Sequence, residues 1–414
     1  MDAYLRPRLQ GRTYTPPSTP TRRSHSKSSS TSSSSLLEDM DSLRRGNTPS
    51  TMSPDEIEKP GSIEPRQFPV WISDYEIGLD NSGAQKVVGT GTWSTVYLAN
   101  PTAALHDTLT MSNALLTPPP ETTLPLTPIR SRDSNMPKPY PPVPSAYAIK
   151  VPYERTAHRV LAEESRILSY LSRFPSAERF LVPYYGQDTR NNAIVMGYLP
   201  TTLESFIVKD LNTRDESDRG AMLADFFPYI ARSLLEGLAW LHDKSCVHGD
   251  LKPSNILMST DPSTYEPRPV FADFSASMII SKSMVSGQRS PVGGATWDFI
   301  DPIQLTAAGA STLSTPTNDL WALAMMLLVL VTGVSPYERI APNSALKREI
   351  MKAGEPLDYV SLGQNGVRSV LRMGGLSRAL GFNVKKWFAK VLVLDPEKRM
   401  SVGDWTEELA DALM

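Results

Sequence analysis

Between Val247 and Leu257 the chain sets an aspartate, Asp250, a lysine two positions later, Lys252, and an asparagine five positions later, Asn255. One short loop thus offers a proton acceptor, a cation and an oxygen ligand. Sixteen residues beyond Asn255, a short apolar run, Phe271-Ala272, ends in a second aspartate, Asp273. Asp250 could orient and deprotonate an incoming hydroxyl, while Asn255 and Asp273, both oxygen donors, could hold Mg²⁺ against phosphates. Upstream, Tyr147-Ala148-Ile149-Lys150 reads as a strand ending in a lysine, followed by a helical pattern carrying Glu163 and Glu164. Lys150 held by a helix carboxylate would present a fixed positive charge to phosphate. Glu164 is the better partner, because its spacing to Ile167-Leu168 sets it on the core side of that helix. Earlier still, Gly89-Thr90-Gly91-Thr92-Trp93-Ser94-Thr95-Val96 lies between β-branched runs. Its two glycines let backbone N–H groups turn tightly toward phosphate oxygens, and by itself the segment reads equally well as an ordinary glycine hairpin.

The elements that must position these groups follow from the pattern of apolar residues. Short β-branched or aromatic runs fill about 70–100 and 145–200, interrupted by one helix near 155–172. From 203 onward the pattern is mostly helical, over about 220–243, 318–333, 379–394 and 401–414. The longest apolar run, Trp321 to Val331, stops well short of the ~20 residues a membrane span needs. With Asn318-Asp319 before it and Gly333 after, it predicts a capped core helix.

Proline marks what lies outside these elements. Of 36 prolines in 414 residues, 19 fall in residues 1–65 and 101–144. The first stretch also holds a serine run over Ser24–Ser35 and is expected to be a disordered tail, with too few apolar side chains to offset its ordering entropy. It is basic near its start, but Pro7, Pro16 and Pro17 spoil the amphipathic helix of a transit peptide. The second stretch is expected to be a long mobile insertion. Formal net charge is −2, which gives no general case for nucleic-acid or membrane-surface binding. Cys246 is the single cysteine, so no intramolecular disulfide forms and a reducing compartment, cytoplasm or nucleus, is expected. Its apolar neighbours make it a buried filler.

In this order the glycine-rich loop, the Ala-x-Lys strand, the His248-x-Asp-Leu-Lys-Pro-x-Asn loop and the Asp-Phe-x segment resemble the eukaryotic protein kinase family. Lys252-Pro253 resembles its serine/threonine branch. The resemblance continues through Gly294-Ala295-Thr296-Trp297, Asp301-Pro302, Asp319-Leu320-Trp321 and Leu394-Asp395-Pro396-Glu397-Lys398-Arg399. It implies an α+β, bilobal fold, with a small antiparallel-sheet lobe carrying one helix and a larger, mainly helical lobe. The kinase domain would cover 69–414, with the small lobe over about 69–198, the large lobe over about 199–414, and the insertion between the second and third strands.

The same resemblance implies roles for individual positions. Asp250 is the catalytic base and Lys252 sits near the transferred phosphate. Asn255 and Asp273 ligate Mg²⁺, and Lys150, paired with Glu164, contacts the phosphates of ATP. Val88, Gly89 and Gly91 cover the nucleotide, Val96, Ala148 and Leu257 sandwich the adenine, and Met196 and Leu199 belong to the gatekeeper and hinge. His248 is expected to be a packed scaffold residue, and Asp319 to hydrogen-bond backbone near Asp250. The implied activity is transfer of the ATP γ-phosphate to serine or threonine of protein substrates, by a monomer. A nucleotide-binding pseudokinase scaffold and a small-molecule phosphotransferase are the alternatives. The first is favoured by Ser94, Ser275 and Ile303. The second is favoured by His248-Gly249-Asp250, but such enzymes usually lack Lys252 and the Asp319 segment.

Three departures from the family carry expectations. Gly249 replaces the arginine that clamps a phosphorylated segment, so activity should depend little on phosphorylation of Ser281, Ser283, Ser286, Ser290 or Thr296. Ser275 replaces a glycine and should be tolerated. Ile303 replaces the glutamate that pairs with the arginine matching Arg399, which must then find another partner or stay solvated. Thr15, Thr19, Thr48, Ser53, Thr117 and Thr127 each precede proline and would serve a regulatory kinase. Pro118–Pro120 reads as a linker or a polyproline ligand.

Overall fold

The computed structural model describes residues 59–103, 141–260, 266–280, 297–306, 313–340, 343–362 and 365–413. They all belong to one compact unit spanning 53–414. The expected tail up to residue 58, the insertion over 104–140, and the phosphorylation sites of the 281–296 segment lie outside the described residues.

β-branched and aromatic runs build the first sheet: β1 (Asp74–Ile77), β2 (Val87–Thr90), β3 (Ser94–Thr102) and β4 (Tyr147–Pro152). β1 and β2 both pair antiparallel with β3, one along Ala99–Thr102 and the other along Thr95–Tyr97. They are one strand interrupted by an excursion over 78–86. Asp80 closes that excursion by accepting from Ser82 N and Ala84 N, with Gly83 at φ +83°. The insertion therefore joins the third and fourth strands as counted here. It also begins later than its proline content suggests, because Pro101 and Thr102 pair with Tyr75 and Asp74.

Next comes α1 (Arg155–Ser172), whose buried Ala157, Leu161, Glu164, Leu168 and Leu171 recur at helical spacing. A short α2 (Ala177–Phe180) leads to β5 (Tyr184–Asp188) and β6 (Ala193–Gly197). β6 pairs with β4, and β5 closes the sheet, giving the order β1-β3-β4-β6-β5. Lys150, on β4, lies in register with Val96 on β3 and Ile194 on β6.

The remaining chain is helical around the site loops. β7 (Thr201–Thr202) runs into α3 (Leu203–Ser205), which continues as a π-helical turn over Phe206–Leu211. α4 (Glu216–Asp243) starts at Asp215, whose carboxylate accepts from Ser217 N and Asp218 N. It buries Leu223, Phe227, Ile230, Leu234, Leu238 and Leu241 along one face. After it, β8 (Cys246–Val247), β9 (Ile256–Thr260), β10 (Pro267–Phe271) and β11 (Met278–Ile279) make small antiparallel ribbons, with β7 on β9 and β8 on β11.

α5 (Pro316–Thr332) is apolar all round because it is buried all round. Gly333, at φ +83°, ends it. Its last carbonyls are satisfied by side chains: Arg219 donates to Leu330 and Val331, Arg372 to Thr332 and Asn212 to Gly333. α6 (Ser344–Lys352), α7 (Pro356–Tyr359), α8 (Gly366–Leu380), α9 (Val384–Ala389) and α10 (Val402–Ala412) complete the larger part. The sequence pattern read one helix over 379–394. The chain instead breaks between Leu380 and Val384, where Gly381 takes φ +77° and Asn383 caps the next helix through Lys386 N. Trp387 stacks on Trp405 at 4.1 Å between ring centres, fixing α10 against α9. An antiparallel sheet with one long helix, followed by a mainly helical part, is the α+β bilobal architecture expected. Among the described residues no helix is long and apolar enough to cross a membrane.

Candidate active site

A cleft of about 590 Å³ separates the sheet from the helical part. Every residue expected to bind nucleotide lines it except Glu164, which stands behind Lys150: Val88, Gly89, Gly91, Val96, Ala148, Lys150, Met196, Leu199 and Leu257. Asp250, Lys252, Asn255 and Asp273 line its other wall. Lys150 and Asp273 meet here from 123 positions apart in sequence, so the convergence is a property of the fold.

Lys150 is the hub. Its Nζ donates to Glu164 Oε2 at 2.7 Å, Glu164 Oε1 at 2.8 Å and Asp273 Oδ1 at 2.8 Å. Burial alone would depress the lysine, but the Asp273 and Glu164 carboxylates hold it above its ordinary value, so it stays charged. Asp273 is pushed up by burial and pulled further down by Lys150, ending below the usual carboxylate range. Burial keeps Glu164 high, partly offset by the lysine. Glu163, the alternative partner, instead reaches Arg166 at 3.2 Å on the exposed face. Helical spacing thus selects Glu164, as expected.

Asp250 accepts from Lys252 Nζ at 2.7 Å and from Asn255 Nδ2 at 3.1 Å, both on Oδ2. Asn255 Nδ2 also reaches the Asp250 carbonyl at 2.8 Å. Both amide protons point back at Asp250, which leaves the Asn255 amide oxygen for another partner. The loop is braced from below by Asp319 on α5, which accepts from His248 N at 2.7 Å and Gly249 N at 2.9 Å. His248 is fully buried, with Nε2 3.1 Å from the Ala272 carbonyl and its ring 4.9 Å from Phe274. Cys246, also fully buried, is filler, and burial pushes its thiol far above the usual value.

Two backbone conformations bear on chemistry. Asp273 is a non-glycine residue at φ +60°, ψ +73°, a sparsely populated conformation of the kind held in place at functional sites. Gly249 sits at φ +78°, and a Cβ there would stand 2.6 Å from the Ala276 carbonyl oxygen. The departure at 249 therefore has a backbone reason, because the loop passes too close to the 274–276 turn for a side chain. Ser275 lies in that 3₁₀ turn with a negative φ, a range open to any side chain. The backbone thus accommodates its Cβ, as expected. In the glycine loop, Gly91 N is engaged by Ser94 O at 2.9 Å. Gly91 therefore shapes the turn and does not offer its N–H to a ligand.

The sequence left one partner open. Arg399 is buried and pairs with Asp301, also fully buried, at 2.5 and 3.1 Å. The same guanidinium donates to the carbonyls of Thr317, Val393 and Leu394 and lies 4.9 Å over the Trp321 ring. Asp301 also receives Asn318 Nδ2 and Ile303 N. The acid missing at 303 is thus supplied two positions earlier. An aspartate directly before proline at the start of a 3₁₀ turn is a capping signal that the sequence reading did not use. Trp93, Thr202, Ile300, Gln304 and Ser314 also line the cleft and carry no motif that would have marked them.

The family model described as "Protein kinase domain" matches residues 146–410, more than half of the chain. Mitogen-activated protein kinase kinase 7 of Arabidopsis thaliana is 33% identical over 143 residues, covering 34% of this chain and 44% of that protein. Serine/threonine-protein kinase PDK1 of Cryptococcus neoformans is 33% identical over 131 residues, 30% of this chain and 10% of that protein. A MAP3K epsilon protein kinase 1 of Brassica napus is 30% identical over 129 residues, 31% of this chain and 9% of its own length. The chain spans less than half the length of these relatives. The chain belongs to the protein kinase family.

Proposed function

We propose that this protein is a serine/threonine protein kinase, transferring the γ-phosphate of ATP, with Mg²⁺, to hydroxyls of protein substrates. The observation that carries the reading is the Glu164–Lys150–Asp273 chain of ion pairs facing Asp250, Lys252 and Asn255 across one cleft.

The residues fit both ligands. Among the described residues no three His, Cys, Asp or Glu side chains converge as a metal site of their own would. One carboxylate, Asp273, and the open amide oxygen of Asn255 are instead the sparse hard-oxygen set of a cation held largely by phosphate. Asp273 keeps about a third of its side chain exposed to the cleft, which leaves it accessible. The metal, when bound, neutralises phosphate charge and orients the transferred group.

Each protein group then has a task. Val96 and Ala148 on the sheet, with Leu257 opposite, offer apolar faces to a planar base, and Met196 closes the back. Lys150 is held charged and immobile by two carboxylates, so it stabilises phosphate without reorganising. Asp250 has both hydrogen bonds on one oxygen, which leaves the other to take the proton of an attacking hydroxyl. Lys252, one hydrogen bond from that carboxylate, places positive charge where the transferred group gains negative charge.

The test offers the purified chain, with labelled ATP and Mg²⁺, three acceptors: a basic protein, an aminoglycoside and choline. Label on serine or threonine of the protein, and on neither small molecule, is expected. Label on a small molecule alone would overturn the reading in favour of a small-molecule phosphotransferase. No label anywhere, with ATP still raising the melting temperature, would mean a nucleotide-binding scaffold.

A further inference from the structure

The segment before β1 is not part of a tail. Arg66 and Phe68 are buried, and the chain over 62–68 crosses from the C-terminal end of α1 to the open edge of the sheet at β5. At the helix, Arg173 Nη1 donates to the carbonyls of Ser62 and Glu64, at 2.9 and 2.8 Å. Arg66 N donates to Ser169 Oγ at 2.8 Å. At the sheet, Gln187 N donates to Arg66 O and Phe68 N to Gln187 O, so the segment pairs with β5 through its backbone. Phe68 then covers the sheet's outer face, packing edge-on against Tyr147 at 5.7 Å and against Tyr75 at 5.6 Å.

Ser169 is where these contacts meet the site. Its hydroxyl donates to Ser165 O at 2.6 Å and lies 3.1 Å from Tyr184 OH, which lies 2.8 Å from Ser165 Oγ. A hydroxyl has one proton and two lone pairs, so one arrangement satisfies every group. Ser165 donates to Tyr184, Tyr184 donates to Ser169, Ser169 donates to the Ser165 carbonyl, and Arg66 N–H fills the last lone pair of Ser169. The residue next to Ser165 is Glu164, whose carboxylate holds Lys150 and receives Phe274 N at 3.2 Å. Gly186 makes the crossing feasible. It sits at φ +135°, and a Cβ there would come within 2.6 Å of Gln67 C.

We propose that residues 62–68 are a positioning strap, which through Ser169 fixes the depth of α1 and so sets the Lys150–Glu164 pair. The strap touches no reacting atom and acts through Glu164. The inference rests on the phosphotransfer reading for its kinetic consequence, but the mechanical part stands apart from it.

The experiment uses the full chain, with Ser169→Ala, Ser169→Thr and Gly186→Ala. Alanine is the better helix former, so a loss in Ser169→Ala cannot come from helix propensity. Expected is a fall of about tenfold in kcat with KM for the protein acceptor within twofold, restored at least in part by Ser169→Thr, which keeps the hydroxyl. In a Glu164→Gln background Ser169→Ala should add less than twofold, because both act on one pair. Amide exchange over 161–172 should accelerate at least tenfold in Ser169→Ala and in Gly186→Ala. Native-like kcat and exchange in both variants would overturn the proposal, as would full additivity with Glu164→Gln. Should the native chain transfer no phosphate, the kinase reading fails. The exchange measurement then decides the strap by itself.

Discussion

Removing the Arg399 guanidinium tests the packing argument hardest, because the residue is buried with its partner. In Arg399→Met, Asp301 would keep a fully buried carboxylate with only Asn318 Nδ2 and Ile303 N as donors. Three carbonyls, of Thr317, Val393 and Leu394, would also lose a donor. Breaking one side of a buried pair costs about 3–5 kcal/mol. For a domain of this size, at about 2 °C per kcal/mol, the melting temperature should fall by roughly 6–10 °C. The exposed Arg166–Glu163 pair, at 3.2 Å, is the internal control, since Arg166→Ala should cost less than about 1 kcal/mol. Asp301 also caps the 3₁₀ turn Pro302–Leu305, beside the cleft residues Ile300 and Gln304. Asp301→Ala should therefore raise KM for the protein acceptor more than KM for ATP. A thermal scan and initial-rate kinetics measure both. Arg399→Met melting within 2 °C of the native protein would refute the reasoning.

Further outcomes follow from the same geometry. Gly249→Ala should lower kcat at least about tenfold, since the new Cβ meets the Ala276 carbonyl at 2.6 Å and shifts the Asp250 loop, and unchanged kinetics would contradict this. Gly333→Ala, at φ +83° with a Cβ that would overlap Asn212 Oδ1 and Arg372 Nη1, should cost at least about 2 kcal/mol by denaturant titration. Asp188 is pushed up by burial but held below the usual carboxylate range by hydrogen bonds from Arg190 and Tyr75. A depressed carboxylate contributes stability that is present above its unfolded value of about 4 and is lost as pH falls through the folded value. The native melting temperature should thus drop more steeply from pH 6 to pH 3 than that of Asp188→Asn, and equal slopes would rule the contribution out.

Most of the site was legible because its chemistry is concentrated in short runs. Asp250, Lys252 and Asn255 sit within six residues, and hydrogen bonds inside the loop join their side chains. Glu164 over Glu163 was legible from helical periodicity alone, which the buried and exposed partners reproduce. What escaped the sequence depends on contacts between distant segments. Nothing local to Arg399 shows that Asp301, 98 positions earlier, takes its charge. Residues 59–65 carry two prolines and no apolar period, so they read as tail, and residues 66–68 show no pattern that assigns them to an element. They are held in the fold by their own carbonyls and by one phenylalanine, which periodicity does not see. The break between α8 and α9 was hidden because apolar residues continue across Gly381 to Asn383, while the left-handed turn is visible only in the backbone.

The most direct test of the central claim is the rate of phosphate transfer from labelled ATP and Mg²⁺ to a protein acceptor, with Asp250→Asn and Lys150→Met beside the native chain. Transfer by the native chain that falls by ~10²–10⁴-fold in Asp250→Asn is predicted, with a comparable loss in Lys150→Met, whose charge is held by Glu164 and Asp273. Transfer surviving in Asp250→Asn at near-native rate would contradict it.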